Sequence, residues 1–150
     1  MAITASGLYG LTWEKFLLDT AGESLEAEDH LLSLVTDTYA PDFNLHDFHA
    51  DLTNEITGGN YARDAVTTTE VTLSSGTLTY DAADTVYDNV GANNVTITDA
   101  MAAVLATNVS GTATDQLVGL WDFVTAASCT NSTFTVQWNA SGLITLDYTP

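Results

Sequence analysis

Basic side chains are nearly absent from this sequence. Lys15 and Arg63 are the only two in 150 residues, against 20 Asp and Glu, for a formal net charge of -18. A nucleic-acid binder neutralises phosphates with Lys and Arg clustered on one face. Two isolated cations cannot do so, and the surrounding field repels a polyanion. Anionic membrane surfaces are excluded on the same ground, because they attract polybasic or basic amphipathic segments. No GxxxxGK[ST] or GxGxxG occurs, so a nucleotide cofactor has no phosphate cradle. The expected partners are neutral or cationic surfaces, metal ions or other proteins.

Cysteine is scarce too. The lone Cys129 rules out an internal disulfide framework and a Cys-based zinc cluster. No run of about 18 apolar residues is present, so no membrane span is expected. The opening residues, MAITASGLYGLTWEKF, lack the basic and apolar regions of a secretory signal. The chain is therefore expected to be soluble and made in a reducing cytoplasm. Asn-x-Ser/Thr triplets begin at Asn94, Asn108, Asn131 and Asn139, and without a leader they carry little weight as glycosylation sites. There is no GxSxG elbow, and Cys129 has no neighbouring His or cation to activate it. Twenty acids offer too many carboxylate pairings to single one out. No enzymatic activity, no cofactor and no metal are expected.

What is present reads as one globular domain spanning 1–150, with 45% hydrophobic residues and a mean hydropathy of +0.10. Residues 1–22 read as an N-terminal arm and helix. Leu11, Trp13, Phe16, Leu17 and Leu18 recur at helical spacing over about 11–20, with Thr12 as a cap. The run Leu31, Leu32, Leu34, Val35 is short and exits through Thr-Asp-Thr-Tyr-Ala-Pro, which favours a buried strand. Residues 31–150 then form a β-rich core interrupted by an irregular 40–65 segment, with a helical turn through 46–52. That segment carries Phe43, Leu45, Phe48, Leu52 and Ile56, so it either packs across the domain or meets a partner.

From Val66 onward strands dominate. Ser74-Ser75-Gly76 sits between VTTTEVTL and TLTY, a hairpin signal with Gly available for a positive φ. Phe134, Val136 and Trp138 alternate with polar residues, as do Ile144, Leu146 and Tyr148, so 133–148 reads as a second hairpin. The 25 threonines match strand faces turned to water. The fold class is mainly β: a single-domain antiparallel β-sandwich or barrel-like fold with a short N-terminal helix.

Two acidic constellations invite a metal. Asp42, His46, Asp47, His49 and Asp51 mix imidazole with carboxylate, and Asp81, Asp84 and Asp88 cluster as calcium ligands do. Neither matches HExxH or an EF-hand loop. Loop-pinning hydrogen bonds and turn-forming Asp explain both more cheaply. Trp13, Trp121 and Trp138 are the side chains that would stack on sugars, but their apolar surroundings favour core packing.

The stretches VTDTYAPDFNLHDFHADLTNEITGGNYARDAV, DAADTVYDNVGANNVTITDA, QLVGLWDF and FTVQWNASGLITL resemble a family of small structural proteins from the head-gene clusters of tailed bacteriophages. The likeness runs over about residues 31–147, through Thr38–Asp42 with His46-Asp47-Phe48, Asn54–Tyr61, Asp81–Val86, Leu117–Phe123 and Phe134–Leu146. Two departures stand out: Asp99-Ala100-Met101-Ala102-Ala103 stands where an Arg-Tyr is expected, and Tyr87 replaces a Trp. The resemblance implies a virion component, a capsid decoration (cement) protein bound outside the major capsid protein shell. Self-association, as a trimer at local three-fold positions, fits it too. The contact elements expected from it are the irregular segment, through Tyr39, Phe43, Phe48 and Tyr61, and the N-terminal helix, through Trp13. Residues 1–10 are expected to serve as an arm whose loss weakens capsid binding more than it lowers the melting temperature. A tail, connector or baseplate component, and a glycan-binding adhesion module on the virion, are the competing readings. The charge places such a protein on the outer surface, because packaged DNA repels it.

Overall fold

The computed structural model describes residues 3–18, 24–26, 30–109, 111 and 113–148. The elements run β1 (Gly7–Leu8), α1 (Gly10–Leu17), β2 (His30–Thr36), a 3-10 turn (His49–Asp51), β3 (Asp64–Val66), β4 (Glu70–Ser74), β5 (Thr77–Asp81), β6 (Thr85–Tyr87), β7 (Val95–Thr107), β8 (Leu117–Ser132), β9 (Phe134–Val136) and β10 (Ile144–Asp147). Five strands form the main sheet in the order β1-β8-β7-β2-β3. Two smaller sheets, β10-β5-β4 and β6-β9, complete the β structure, and every pairing is antiparallel. The fold is mainly β and sandwich-like with one short helix near its N-terminus, as expected.

The main sheet is buried on both faces, which explains its composition. Ala102–Thr107 of β7 are all at most 1% exposed, so the strand reads as an unbroken small and apolar run rather than an alternation. Ala103 and Leu105 join Leu32, Leu34, Val118, Tyr80, Tyr87 and Ile144 in a front core under the two smaller sheets. Ala102, Val104 and Ala106 join Val35, Leu117, Leu120, Tyr9, Tyr39 and Ile3 in a rear core. Phe43 and Leu52 of the irregular segment close that rear core.

The irregular segment therefore packs across the domain, one of the two roles its apolar content allowed. It also continues the main sheet's hydrogen bonding. The Ile56 N–H donates to the Leu34 carbonyl at 2.8 Å and the Thr36 N–H to the Asn54 carbonyl at 3.1 Å, extending the β2 edge beyond β3. At its other end the Phe48–Gln116 bridge joins it to the start of β8, with Leu117 N–H to Asp47 C=O and His49 N–H to Asp115 C=O, both 2.8 Å.

The β4–β5 hairpin forms as its sequence requires: Ser74 faces Thr77, and Ser75 and Gly76 take φ of 51° and 85°, the left-handed pair of a tight two-residue turn. The second expected hairpin does not form. β9 pairs with β6, and β10 pairs with β5. Period-2 alternation marks a half-buried strand without naming its partner. Here the Trp138 N–H donates to Asp84 Oδ1 at 3.0 Å and the Leu143 N–H to the Tyr80 carbonyl at 2.8 Å, carrying the chain from one small sheet to the other.

The N-terminal region also departs from expectation. Ile3 and Tyr9 are at most 1% exposed and β1 pairs with β8, so residues 3–9 belong to the fold and are no free arm. In α1, Thr12, Trp13 and Phe16 turn inward, whereas Leu17 and Leu18 of the supposed stripe are 86% and 64% exposed. Thr12 is no cap: Tyr9 precedes the first turn, and its carbonyl accepts the Trp13 N–H. The rest of the expected helix, Asp19 to Thr20, and the arm boundary at Gly22 lie outside the described residues.

Gly59 shows how tightly the segment meets the sheet. It sits at φ +58°, and a Cβ built on it would lie 2.3 Å from the Thr96 carbonyl oxygen. Neighbouring Gly58, at φ +76°, faces open space. Gly58→Ala should cost about 1 kcal/mol from the left-handed backbone alone, and Gly59→Ala at least about 3 kcal/mol once the backbone clash is added. Urea unfolding of the two variants checks this; equal losses would contradict the close packing.

Candidate functional site

The densest polar constellation in the sequence lies on the irregular segment, and its groups are turned to fastening that segment. Asp42 Oδ1 accepts the N–H groups of Asn44 and Leu45 at 3.0 and 3.1 Å, closing a turn that presents His46. His46 Nδ1 lies 3.0 Å from the Tyr39 hydroxyl and accepts the Asp42 N–H at 3.3 Å. Tyr39 in turn meets the Tyr9 hydroxyl at 2.9 Å. A chain of hydrogen bonds thus runs from the rear core to the loop. Burial pushes both phenols above their ordinary range: Tyr39's ionisation adds to Tyr9's shift, while Asp51 and Asp42 add to Tyr39's against the lowering effect of the Tyr9 bond.

Asp47 is held by Lys15, whose Nζ reaches its two carboxylate oxygens at 2.8 and 2.6 Å and lies 4.6 Å from the Phe48 ring centroid. Asp51 accepts the N–H groups of Asp47 and Phe48, both at 3.0 Å, and these bonds hold its carboxyl below the ordinary value. His49 is 4% exposed, with Nε2 2.9 Å from Ser33 Oγ on β2. At the far end Arg63 forms a two-pronged pair with Glu55, Nε to Oε1 at 2.8 Å and Nη2 to Oε2 at 2.7 Å. The Tyr61 hydroxyl donates to the same Glu55 at 3.1 Å and accepts the Leu34 N–H at 2.8 Å.

Both cations are thus committed to carboxylates of one segment, one at each end. Each pair is partly buried, with side-chain exposures of 27% and 16% for Lys15 and Asp47, and 30% and 17% for Arg63 and Glu55. The second acidic run is likewise structural: Asp81, Asp84 and Asp88 accept backbone N–H groups of Ala82, Trp138 and Gly91. Among the described residues no group of three or more His, Cys, Asp or Glu is placed to hold a metal ion.

The five expected contact residues are brought to this segment and its neighbours, and each is occupied internally. Tyr39 is 0% exposed and has no surface to offer a partner; as a contact residue it is corrected, because its hydroxyl and ring lock the loop to Tyr9 and His46. Trp13 donates its indole N–H to the Val118 carbonyl at 3.0 Å. The Phe43 ring lies over Gly7, where any Cβ would sit 2.8 Å from it, and 5.2 Å from the Tyr9 ring. Phe48 lies beneath Lys15, and Tyr61 stacks on Tyr87 at 5.7 Å. Those four keep half-buried edges. Among the described residues, the strongly exposed apolar side chains are others, Leu17, Leu18, Leu45, Leu73, Val90, Val124 and Tyr148 among them. Sequence patterns missed the Tyr9–Tyr39 pair, the Ser33–His49 bond and Asp115, whose carboxylate accepts the Val109 and Gly111 N–H groups. His49 in the acidic constellation was the single available signal.

No protein-family model, no curated protein and no solved structure matches this chain.

His49 gives a pH prediction. Burial, reinforced by Arg63 and opposed by Glu55 and Asp115, holds its imidazole below the ordinary value. Below about pH 6.5 the unfolded state therefore binds more protons than the folded one, and stability falls with acid. Asp51 acts in the same direction only below about pH 4, leaving the His49 window clear. Across urea unfolding at pH 8, 7, 6 and 5, the stability difference between wild type and His49→Gln should shrink toward pH 5. A constant difference would mean that His49 is protonated alike in both states.

Proposed function

We propose that the chain is a non-enzymatic structural protein of a tailed-bacteriophage virion, a capsid decoration (cement) protein bound to the outer surface of the major capsid protein shell. It is made in the host cytoplasm and works by burying surface across capsomer junctions, where interface specificity replaces catalysis. Self-association into trimers at local three-fold positions belongs to the same reading.

The observation that carries it is the sequence resemblance over about 31–147, together with where its blocks fall. His46-Asp47-Phe48 bridges to β8, Asn54–Tyr61 extends β2, Leu117–Phe123 builds the core of β8, and Phe134–Leu146 spans β9 and β10. These are the framework of the fold, so a shared pattern at these positions supports a shared architecture. Charge supports the side of the shell. With Lys15 and Arg63 both bound to carboxylates of the protein itself, neither is left to meet DNA phosphates within a head.

Cryo-electron microscopy of the particles assembled with this protein tests the proposal. Density for this fold is expected on the outer face of the head shell. Density on the tail, at the connector or inside the shell would overturn it.

A further inference from the structure

The sheet β10-β5-β4 ends on β4, and among the described residues no strand lies beyond it. The two-residue turn makes Ser74–Thr77 a hydrogen-bonded pair, and an antiparallel ladder alternates from there. Glu70 and Thr72 therefore turn their backbone groups toward β5, whereas the N–H and C=O of Val71 and Leu73 point outward from the edge. Thr69, just before the strand, is met by Glu26, whose carbonyl accepts its hydroxyl at 2.7 Å. No such neighbour follows among the described residues, and Thr72, Leu73 and Ser74 are exposed.

Native sheets blunt such edges with Lys, Pro, bulges or other charges. Val71 to Ser74 include none of these, and the register to β5 runs without a shift. The distal half of β8, the other long free edge, is blunted. Its register to β7 shifts repeatedly, and Val124 and Asn131 sit at φ of 66° and 48°. β10, at the opposite edge of the small sheet, carries Asp147.

We infer that the edge of β4 pairs with β4 of a second copy of this chain, antiparallel about a two-fold axis passing between the two Thr72 residues. Val71 and Leu73 of each copy then exchange backbone hydrogen bonds with Leu73 and Val71 of the other, and the three-stranded sheet is doubled. Side chains fit the same register. Val71 and Leu73 lie on the face that carries Tyr80 and Ile144, so pairing sets Leu73, 68% exposed in the single chain, against Val71 of the second copy. Charge selects this seam too. Residues 71–80 hold no charged side chain in a chain of net charge -18, and Glu70 falls opposite Ser74 of the second copy. The two Glu70 positions stand roughly 13 Å apart along the strands, beyond the Debye length of about 8 Å at physiological salt. The inference rests on the β4 edge alone, so its failure leaves the virion reading untouched.

Sedimentation equilibrium of the full chain in about 0.5 M NaCl, which screens the acids, tests it. The seam is small, so association should be weak, the mass passing from one chain to two between about 10 µM and about 1 mM. Thr72→Glu sets two carboxylates face to face and should hold the chain monomeric at about 1 mM while keeping the melting temperature of the dilute wild type. Thr130→Glu, the same charge at an exposed strand position elsewhere, should still dimerise. In a Cys129→Ala background, Thr72→Cys places two thiols on a pair about 4.5 Å apart at Cα, within disulfide reach, whereas Ser74→Cys leaves them roughly 13 Å apart. The first should cross-link in air at least about tenfold faster than the second. A monomer throughout the range, assembly unmoved by Thr72→Glu or lost equally in Thr130→Glu, or equal cross-linking at the two positions would overturn the inference.

Discussion

A five-stranded sheet whose central strands are apolar on both faces must be covered twice, and the rest of this structure follows from that constraint. β7 cannot present Ala102, Val104 and Ala106 to water while Ala103 and Leu105 pack forward; each face is a separate hydrophobic surface. The front is closed by ordinary means, with β4, β5 and β10 and the β6–β9 pair laid over it. The rear receives no third sheet. It is closed by residues 3–9 and a segment with almost no regular secondary structure, which is why Phe43, Leu52 and Tyr39 appear where loop polarity would be expected.

Such a cover has few repeating hydrogen bonds of its own, so its backbone must find partners elsewhere. Short bridges to β2 and β8 satisfy some of it, and Asp42 and Asp51 accept amides that have no strand to pair with. The two ion pairs then fix its ends, Lys15–Asp47 to the helix and Arg63–Glu55 beside β3. In a chain with only two cations, spending both on one segment leaves the outer field to the acids. The same economy that builds the rear cover leaves the surface anionic, while residues 123–146 hold no charged side chain.

Much of the architecture was legible in local patterns. The Leu31–Val35 run forms a strand, Ser75-Gly76 turns a hairpin, and Trp13 and Phe16 mark the helix's inner face. What periodicity could not supply was pairing across distance: Phe134–Val136 and Ile144–Asp147 are strands, but their partners lie some fifty to seventy positions upstream. Leu17 and Leu18 were misread because helical spacing counts apolar residues without knowing where the helix ends against the sheet. At the site, the loop-pinning reading of the Asp42–Asp51 cluster holds. The Asp42–Asp51 cluster and the aromatics Tyr39, Phe43, Phe48 and Tyr61 do act together, as fasteners of a buried surface; the aromatics had been expected to face a partner.

Native-state hydrogen exchange tests most directly whether the irregular segment is part of the cooperative core. The amides of His49, Ile56 and Leu117 each bond across the boundary between that segment and the main sheet. They should exchange with the same opening free energy as amides at the centre of the β7–β8 ladder, because the rear cover cannot lift without exposing the core beneath it. Exchange through a local opening about a hundredfold or more faster than the ladder, a gap of roughly 2.7 kcal/mol, would show instead that the segment is a loop resting on a sheet that stands without it.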